Sequence, residues 1–94
     1  MEILGFAWLA DIVDKLEQKH GVKQQEVVEI FTNRPHIRFV EKGHYPDENL
    51  YAAFGQTNPG RYLIVYFVYK QDKRALVISS REMTPKERRY YEQK

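Results

Sequence analysis

The segment Arg61–Tyr69 constrains the fold of this chain more than any other stretch. It reads Arg-Tyr-Leu-Ile-Val-Tyr-Phe-Val-Tyr, so apolar and aromatic side chains occur at both odd and even positions. Successive side chains of a β-strand point to opposite faces of its sheet. A segment that is apolar on both faces is therefore predicted to be a central strand, because a half-solvated strand would alternate with polar residues.

Three other segments are predicted to be strands around this central one. His36–Lys42 and Leu50–Thr57 precede it, and Ala75–Ser80 follows it. Asn58–Gly60 and the polar stretch Lys70–Lys73 are predicted turns, on the basis of their residue types. Such short connections favour a four-stranded antiparallel meander. Its first loop holds Gly43, His44, Pro46 and Asp47.

Two helices are predicted before the strands. A short extended lead-in, Gly5–Trp8, is followed by apolar residues at the i, i+3, i+4, i+7 spacing of an amphipathic helix. This helix is expected to end at His20, with Gly21 as a left-handed cap. The second helix is predicted to start at about Lys23 and to stop before Pro35. The first stripe consists of Leu9, Ile12, Val13 and Leu16, and the second helix is expected to bury Val27, Val28 and Phe31.

The clearest helix start lies near the C-terminus. Thr84-Pro85-Lys86-Glu87 places Thr at the N-cap, Pro at the first helical position and Glu three residues after the cap. The chain is therefore predicted to be an α+β protein with two N-terminal helices, a four-stranded antiparallel meander and a C-terminal helix. We expect residues 1–94 to form a single domain.

The composition argues against several classes of protein. The chain has no cysteine, which excludes a disulfide framework and thiolate chemistry. No apolar run approaches the roughly 18 residues of a membrane span, and the N-terminus lacks a secretory pattern, so a cytoplasmic protein without a membrane partner is expected. No phosphate loop, Ser-His-Asp order or dinucleotide fingerprint is present. The three histidines lack the spacing of a metal site, and we expect no metal and no cofactor.

Positive charge is concentrated in the last third of the chain. Residues 61–94 carry nine Lys or Arg and four Asp or Glu, whereas residues 1–60 carry six and nine. A basic region of this kind suits the binding of phosphate or of an acidic partner. The alternative is an ordinary solvated surface, and charge alone leaves both interpretations open.

Four short blocks in a fixed order resemble the BrnT family of toxins. Each block is weak alone, but their shared order and spacing extend over nearly the whole chain. They are Phe6 and Trp8 before a helix that closes in Lys19-His20-Gly21-Val22, the turn Gly55–Arg61 before an apolar strand, the stretch Ile78–Thr84, and the segment Glu87–Glu92.

The resemblance implies a ribonuclease toxin of a type II toxin–antitoxin system. Such toxins have a compact fold similar to RelE-type toxins and small microbial ribonucleases, and they cleave RNA and inhibit translation. The resemblance also implies a cognate BrnA-like antitoxin that binds DNA, neutralises the toxin and joins it in a hetero-oligomer. We therefore expect an endoribonuclease that is independent of metal, with RNA as substrate.

Three positions depart from the family pattern. The family commonly has a basic residue at the position of Leu50 and an arginine at the position of Leu76, and an asparagine is frequent where this chain has Leu16. Two fewer cations beside an RNA groove would weaken cleavage. The second hypothesis is therefore a divergent, toxin-like binding module without cleavage activity.

Arg61 and Arg81 are the predicted phosphate ligands of the catalytic site. RNA cleavage must stabilise the charge of a crowded phosphorane, and a planar guanidinium binds two phosphate oxygens at once. The two arginines flank the same turn, so an antiparallel hairpin is expected to bring them together. The alternatives are that Arg61 points to water and that Arg81 forms a salt bridge with Glu87 or Glu48.

His20 and Glu48 are predicted to transfer the protons. Imidazole titrates near neutral pH, and His20 falls at the end of the first helical stripe, where it can point inward. The alternative is a helix-end histidine that bonds the last carbonyls. His44 is a second candidate, with an exposed loop histidine as its alternative, and His36, after Pro35 at a strand start, is expected to be structural.

Lys86, Arg88 and Tyr91 on the last helix are the predicted RNA-binding residues. Aromatic rings beside cations can stack on unpaired bases, and Tyr91 follows two arginines. The alternatives are a solvated helix, a docking surface for an acidic antitoxin segment, and tyrosines that fill the core. Trp8 is expected to anchor the core.

Overall fold

A computed structural model describes residues 1–45 and 48–94 of the chain. It has three helices and a five-stranded mixed sheet of strand order β1-β5-β4-β3-β2. No helix in the described residues is long and apolar enough to cross a membrane. The elements are β1 (Gly5–Ala7), α1 (Ala10–His20), α2 (Gln24–Thr32), β2 (His36–Glu41), β3 (Leu50–Gln56), β4 (Tyr62–Tyr69), β5 (Arg74–Glu82) and α3 (Pro85–Glu92).

The apolar segment is the central strand, as predicted. β4 pairs antiparallel with β3 on one side and with β5 on the other. Leu63, Val65 and Phe67 are fully buried towards one face of the sheet, and Ile64 is buried towards the other. The predicted α+β class and the meander of β2, β3, β4 and β5 are both confirmed.

The extended lead-in is a fifth strand, which the sequence prediction did not include. β1 lies at the edge of the sheet and pairs parallel with β5, with Phe6 opposite Ala75. The sheet is therefore mixed and five-stranded rather than a purely antiparallel meander of four. A three-residue strand is too short to show alternation, and its parallel partner lies almost 70 residues away. The ring of Phe6 packs edge-on against that of Phe31, with 5.2 Å between the ring centres, and this contact holds the edge of the sheet against the core.

Helices α1 and α2 cover one face of the sheet, which we call the helix face. Gly21 ends α1 in the left-handed conformation (φ 60°), as predicted. In α2 the buried residues are Val27 and Ile30. The expected burial of Val28 was wrong, because Val28 is exposed and Ile30 takes the inward position one turn after Val27.

Helix α3 covers only part of the opposite face, which carries Phe54, Ile64 and Arg81 and which we call the groove face. Thr84 caps α3 with the predicted capping box: its hydroxyl accepts from the Glu87 N–H, and the Glu87 carboxylate accepts from the Thr84 N–H. Tyr90 and Tyr91 pack on Phe54 and Ile64. The part of this face that α3 does not reach forms an open groove beside β2.

Two register shifts affect the groove face. One lies in β2 between Phe39 and Glu41, and the other lies where Tyr66 and Phe67 of β4 pair with β5. Each leaves one extra residue in the strand, Val40 and Ile78 respectively, and both are exposed. The loop predicted before β3 falls partly on Pro46 and Asp47, which lie outside the described residues.

The contrast between Ile30 and Val28 gives a test of this packing. We expect Ile30→Ala to lower the free energy of unfolding by about 2–5 kcal/mol, because it leaves a cavity beneath the sheet. Val28→Ala on the exposed side of the same helix should cost less than about 1 kcal/mol. Urea unfolding of both variants measures the difference, and equal losses would contradict the observed orientation of α2.

Candidate functional site

The groove face contains a recess of about 310 Å³ between β2 and α3. Its floor is apolar and is formed by Ala52, Phe54 and Ile64. Its rim carries the cations of Arg38 and Lys86, the hydroxyls of Tyr66 and Tyr90, and the carboxylate of Glu87. An apolar floor with a cationic rim suits a ligand that combines a flat ring with negative charge.

Arg81 lies beside this recess in a bidentate pair with Glu87. The two N–H···O distances are 2.7 Å (Nη1 to Oε1) and 2.9 Å (Nη2 to Oε2), and Nη2 also donates to the Tyr66 hydroxyl at 3.5 Å. The hydrogen bonds from Arg81 hold the pKa of Glu87 at about 2, far below its ordinary value. The salt bridge to Glu87, one of the two alternatives for Arg81, is present.

Arg61 lies on the helix face, where it fastens the end of α1 to β4. Its guanidinium donates to the backbone carbonyls of His20 (3.1 Å) and Gly21 (2.8 Å), and it pairs with Glu26 and Glu82. Burial disfavours the charge of Arg61, but the hydrogen bonds to the two carboxylates outweigh this effect and raise its pKa. Arg61 therefore does not point freely to water.

The expected convergence of Arg61 and Arg81 needs correction. The hairpin does bring both residues to the same end of the sheet. However, Ile64 pairs with Arg81, so the Arg81 side chain shares the groove face with Ile64. Arg61 lies two residues before Leu63, so its side chain is on the same face as Leu63, which is the helix face. The prediction considered the ends of the strands and not the alternation of faces, and the two guanidinium groups lie on opposite sides of the sheet.

His20 and Glu48 lie away from the groove. The His20 side chain is exposed at the end of α1, so the inward orientation was wrong. Arg61 donates to the last carbonyls of the helix, the role considered for His20. Glu48 pairs with Lys70 at 2.9 Å, beyond the end of β4 that is opposite to Arg61. The four predicted catalytic residues therefore occupy three separate places.

The three predicted RNA-binding residues lie on two sides of α3. Lys86 is on the rim of the recess. Arg88 and Tyr91 instead contact Tyr62: the guanidinium lies 3.8 Å from the centre of that ring, and the Tyr91 ring meets it edge-on at 6.0 Å. The rings of Tyr62 and Tyr91 are thus already engaged with the protein, in line with the alternative that tyrosines fill the core.

The groove also brings together residues that sequence reasoning missed. His36 Nε2 and the Tyr90 hydroxyl are hydrogen-bonded at 2.9 Å. Arg38 and Lys94 lie 5.4 Å and 4.8 Å from the centre of the Tyr90 ring. Burial, and then the charges of Lys94 and Arg38, lower the pKa of His36. These groups come from segments more than 50 residues apart, so no local pattern in the sequence could have joined them.

Leu50 and Leu76, two of the three departures from the family pattern, lie on the groove face in one row. Leu50 pairs with Val68 across β3 and β4, and Val68 pairs with Leu76 across β4 and β5. The neighbours of Leu76 in the chain, Ala75 and Val77, are buried on the helix face, so Leu76 must point to the groove face. Three aliphatic side chains thus cross the open part of the sheet.

Among residues 1–45 and 48–94, no group of three or more His, Cys, Asp or Glu side chains is arranged to hold a metal ion. The groove face carries cations, tyrosine hydroxyls, the carboxylate of Glu87 and the imidazole of His36. These groups can bind a phosphate and move a proton.

The fold and the groove define a small α+β protein in which one sheet face is closed by helices and the other presents cations. The crystal structure of the Brucella abortus ribonuclease toxin BrnT is similar, with a TM-score of 0.60 and 17% identity over 85% of this chain and 96% of that chain. No curated protein sequence matches the chain. Residues 8–87 match the family described as the ribonuclease toxin, BrnT, of type II toxin–antitoxin systems. The chain therefore belongs to the BrnT toxin family.

The Arg81–Glu87 pair should make stability depend on pH. A carboxyl whose pKa falls from 4.5 to about 2 on folding stabilises the protein fully above pH 4.5, and this contribution is lost as the pH falls towards 2. We expect Glu87→Gln to cost about 1 kcal/mol at pH 7, a value reduced for solvent screening of the half-exposed pair. Its difference from the wild type should disappear near pH 2 in urea unfolding.

A matched control is Glu17→Gln on α1, which removes an exposed carboxylate outside the ion pairs of the described residues. This variant should match the wild type at each pH. A penalty for Glu87→Gln that persists unchanged at pH 2 would contradict the assignment to the ion pair.

Proposed function

We propose that residues 1–94 act as one endoribonuclease toxin domain, which cleaves RNA in the cytoplasm without a metal ion and thereby inhibits translation. Membership of the BrnT family supports the ribonuclease reaction class. The cationic rim and apolar floor of the groove support single-stranded RNA as the substrate. The groove carries the proposal, because the four residues predicted from the sequence do not share a site.

Arg81 is the proposed ligand of a backbone phosphate of the bound RNA. Its two guanidinium nitrogens already bind the two oxygens of Glu87, and a phosphate presents oxygens in the same fork geometry. RNA would replace Glu87 at Arg81, so substrate binding includes the exchange of one anion for another. Lys86 on the rim supplies a second cation that has no such competitor among the described residues.

The other three predicted catalytic residues have no direct part in the reaction that we propose. Arg61 holds the end of α1 against β4, so its role is structural and it is not a phosphate ligand. His20 and Glu48 have no contact with the recess, so they are not assigned the proton transfers.

The exposed side of α3 is the proposed docking surface for a BrnA-like, DNA-binding antitoxin in a hetero-oligomer. Lys86, Arg88, Arg89 and Lys94 give this short helix and its end a surplus of positive charge. An acidic antitoxin segment that lies along α3 would also cover the rim of the groove. Neutralisation would then follow from exclusion of RNA.

Cleavage of a defined single-stranded RNA in the presence of EDTA tests the reaction and the role of Arg81. We expect the wild type to cleave, and Arg81→Ala to lose activity about 100-fold because the RNA is no longer positioned through this phosphate. Arg74→Ala is the matched control, since Arg74 lies on the same strand but pairs with Asp72 at the far turn.

Melting curves show whether both variants are folded. Full activity of a folded Arg81→Ala protein would remove Arg81 from the mechanism.

The second candidate function is a binding module without cleavage activity. It is favoured by the row of Leu50, Val68 and Leu76, which puts aliphatic side chains on the groove face at two positions where the family has cations. If this candidate is correct, the double variant Leu50→Arg/Leu76→Arg should cleave RNA that the wild type only binds. Cleavage by the wild type itself contradicts this candidate, and the same RNA assay measures both proteins.

A further inference from the structure

His36 and Tyr90 form a hydrogen-bonded couple on the groove face, where His36 lines a second recess together with Arg34, Glu92 and Lys94. His36 lies at the start of β2, opposite Phe54 of β3, and its ring meets the Tyr90 ring edge-on at 5.4 Å. Nε2 is bonded to the Tyr90 hydroxyl at 2.9 Å. Among the described residues Nδ1 has no hydrogen-bond partner, and the half-buried ring borders a recess that opens to solvent. The imidazole is therefore oriented by one nitrogen and accessible at the other.

The charged groups around this couple are mostly cationic. Arg38 lies two residues along the same strand, and Lys94 follows α3. Arg34 and Glu92 line the recess beside His36, and Phe54 of β3 offers only an apolar ring. Burial and then the charges of Lys94 and Arg38 lower the pKa of His36, which keeps the imidazole neutral at neutral pH. A neutral, oriented imidazole among cations is what a base acting beside a phosphate requires.

We propose that His36 is the general base of RNA cleavage at this second recess, that the Tyr90 hydroxyl positions its ring, and that Arg38 and Lys94 attract the adjacent phosphate. This inference rests on the proposed ribonuclease function and adds the residue that moves the proton. It differs from the sequence-based expectation, in which His20 and Glu48 had this role and His36 was structural.

The chemical step uses the tautomer in which Nε2–H donates to the Tyr90 oxygen. Nδ1 accepts the proton of a ribose 2′-hydroxyl, and the 2′ oxygen attacks the neighbouring phosphorus. The phosphorus–O5′ bond breaks, which leaves a 2′,3′-cyclic phosphate on one fragment and a 5′ oxygen that takes a proton from water. The imidazolium gives its proton to the hydroxide so formed, and no other reactant is required.

The pH profile of cleavage is the measurement that separates a base from a structural histidine. The wild-type rate should fall as the pH drops through the lowered pKa of His36, because only the neutral imidazole accepts a proton. Lys94→Gln removes one of the charges that lower this pKa, so the midpoint of the acid limb should move to higher pH. Because Lys94 is exposed at the end of the chain, this variant is expected to fold.

His36→Gln is the direct variant, because its amide can still bond Tyr90 but does not titrate. We expect the cleavage rate to fall by about 100-fold or more, while the affinity for an RNA with a 2′-deoxy residue at the cleavage site stays within about twofold by fluorescence anisotropy. Glu41→Gln is the control on the same strand and should leave the rate unchanged, since the Glu41 side chain is exposed. Tyr90→Phe keeps the ring and should lower the rate without a loss of affinity.

The possible outcomes separate this inference from the function on which it rests. The assignment of His36 is wrong, and the ribonuclease function stands, if His36→Gln cleaves RNA as well as the wild type does. The acid limb of the pH profile should then also be the same in Lys94→Gln as in the wild type. If the folded wild type cleaves none of several RNAs, the proposed function fails and the inference fails with it. A selective loss in His36→Gln together with the shifted limb supports both.

Discussion

Burial of β4 on both faces is the constraint on which the rest of the structure depends. Its odd-numbered core residues need α1 and α2 above them, and these helices close the helix face. The even-numbered residue Ile64 is covered as well, and among the described helices it is α3, of eight residues, that packs on it. A helix of this length spans about 12 Å and cannot cover five strands. The groove is thus the part of a two-sided strand that the chain leaves uncovered.

Among the described residues, three side-chain contacts of hydrogen-bonding type hold α3 in this partial position, and one of them joins the Tyr62 hydroxyl to the Glu92 carboxylate. At its first turn Glu87 binds Arg81 and also caps the helix through Thr84. At its last turn the Tyr90 hydroxyl bonds His36. Arg81 and His36, which help to fix the helix, are also side chains that we propose to act on RNA. Polar groups at a partly buried contact stabilise it only while they are paired, so a ligand that offers better partners can exchange with them.

The sequence could predict those features that depend on short-range patterns. The two-sided apolar run gave β4, the Thr84 box gave the start of α3, and Gly21 gave the end of α1. The fifth strand was beyond such reasoning, because β1 has three residues and pairs with a strand far along the chain. The burial of Ile30 instead of Val28 reflects packing against Gly55, where an added Cβ would lie 2.9 Å from an Ile30 methyl group. Side-chain contacts of this kind are set by tertiary packing rather than by periodicity.

The site was harder to predict than the fold, because each of its pairs joins distant segments. Hairpin geometry placed Arg61 and Arg81 at one end of the sheet, yet the alternation of faces separates them. Arg38 of β2 and Lys86 of α3 line the groove recess, Arg81 of β5 lies beside it, and Lys94 lies over the Tyr90 ring. The strand positions Leu50 and Leu76 add none. Positive charge in this protein is thus placed around the rim rather than across the floor. In the proposed function, an RNA backbone held at the rim would bring its bases towards this apolar floor, which is formed by Ala52, Phe54 and Ile64.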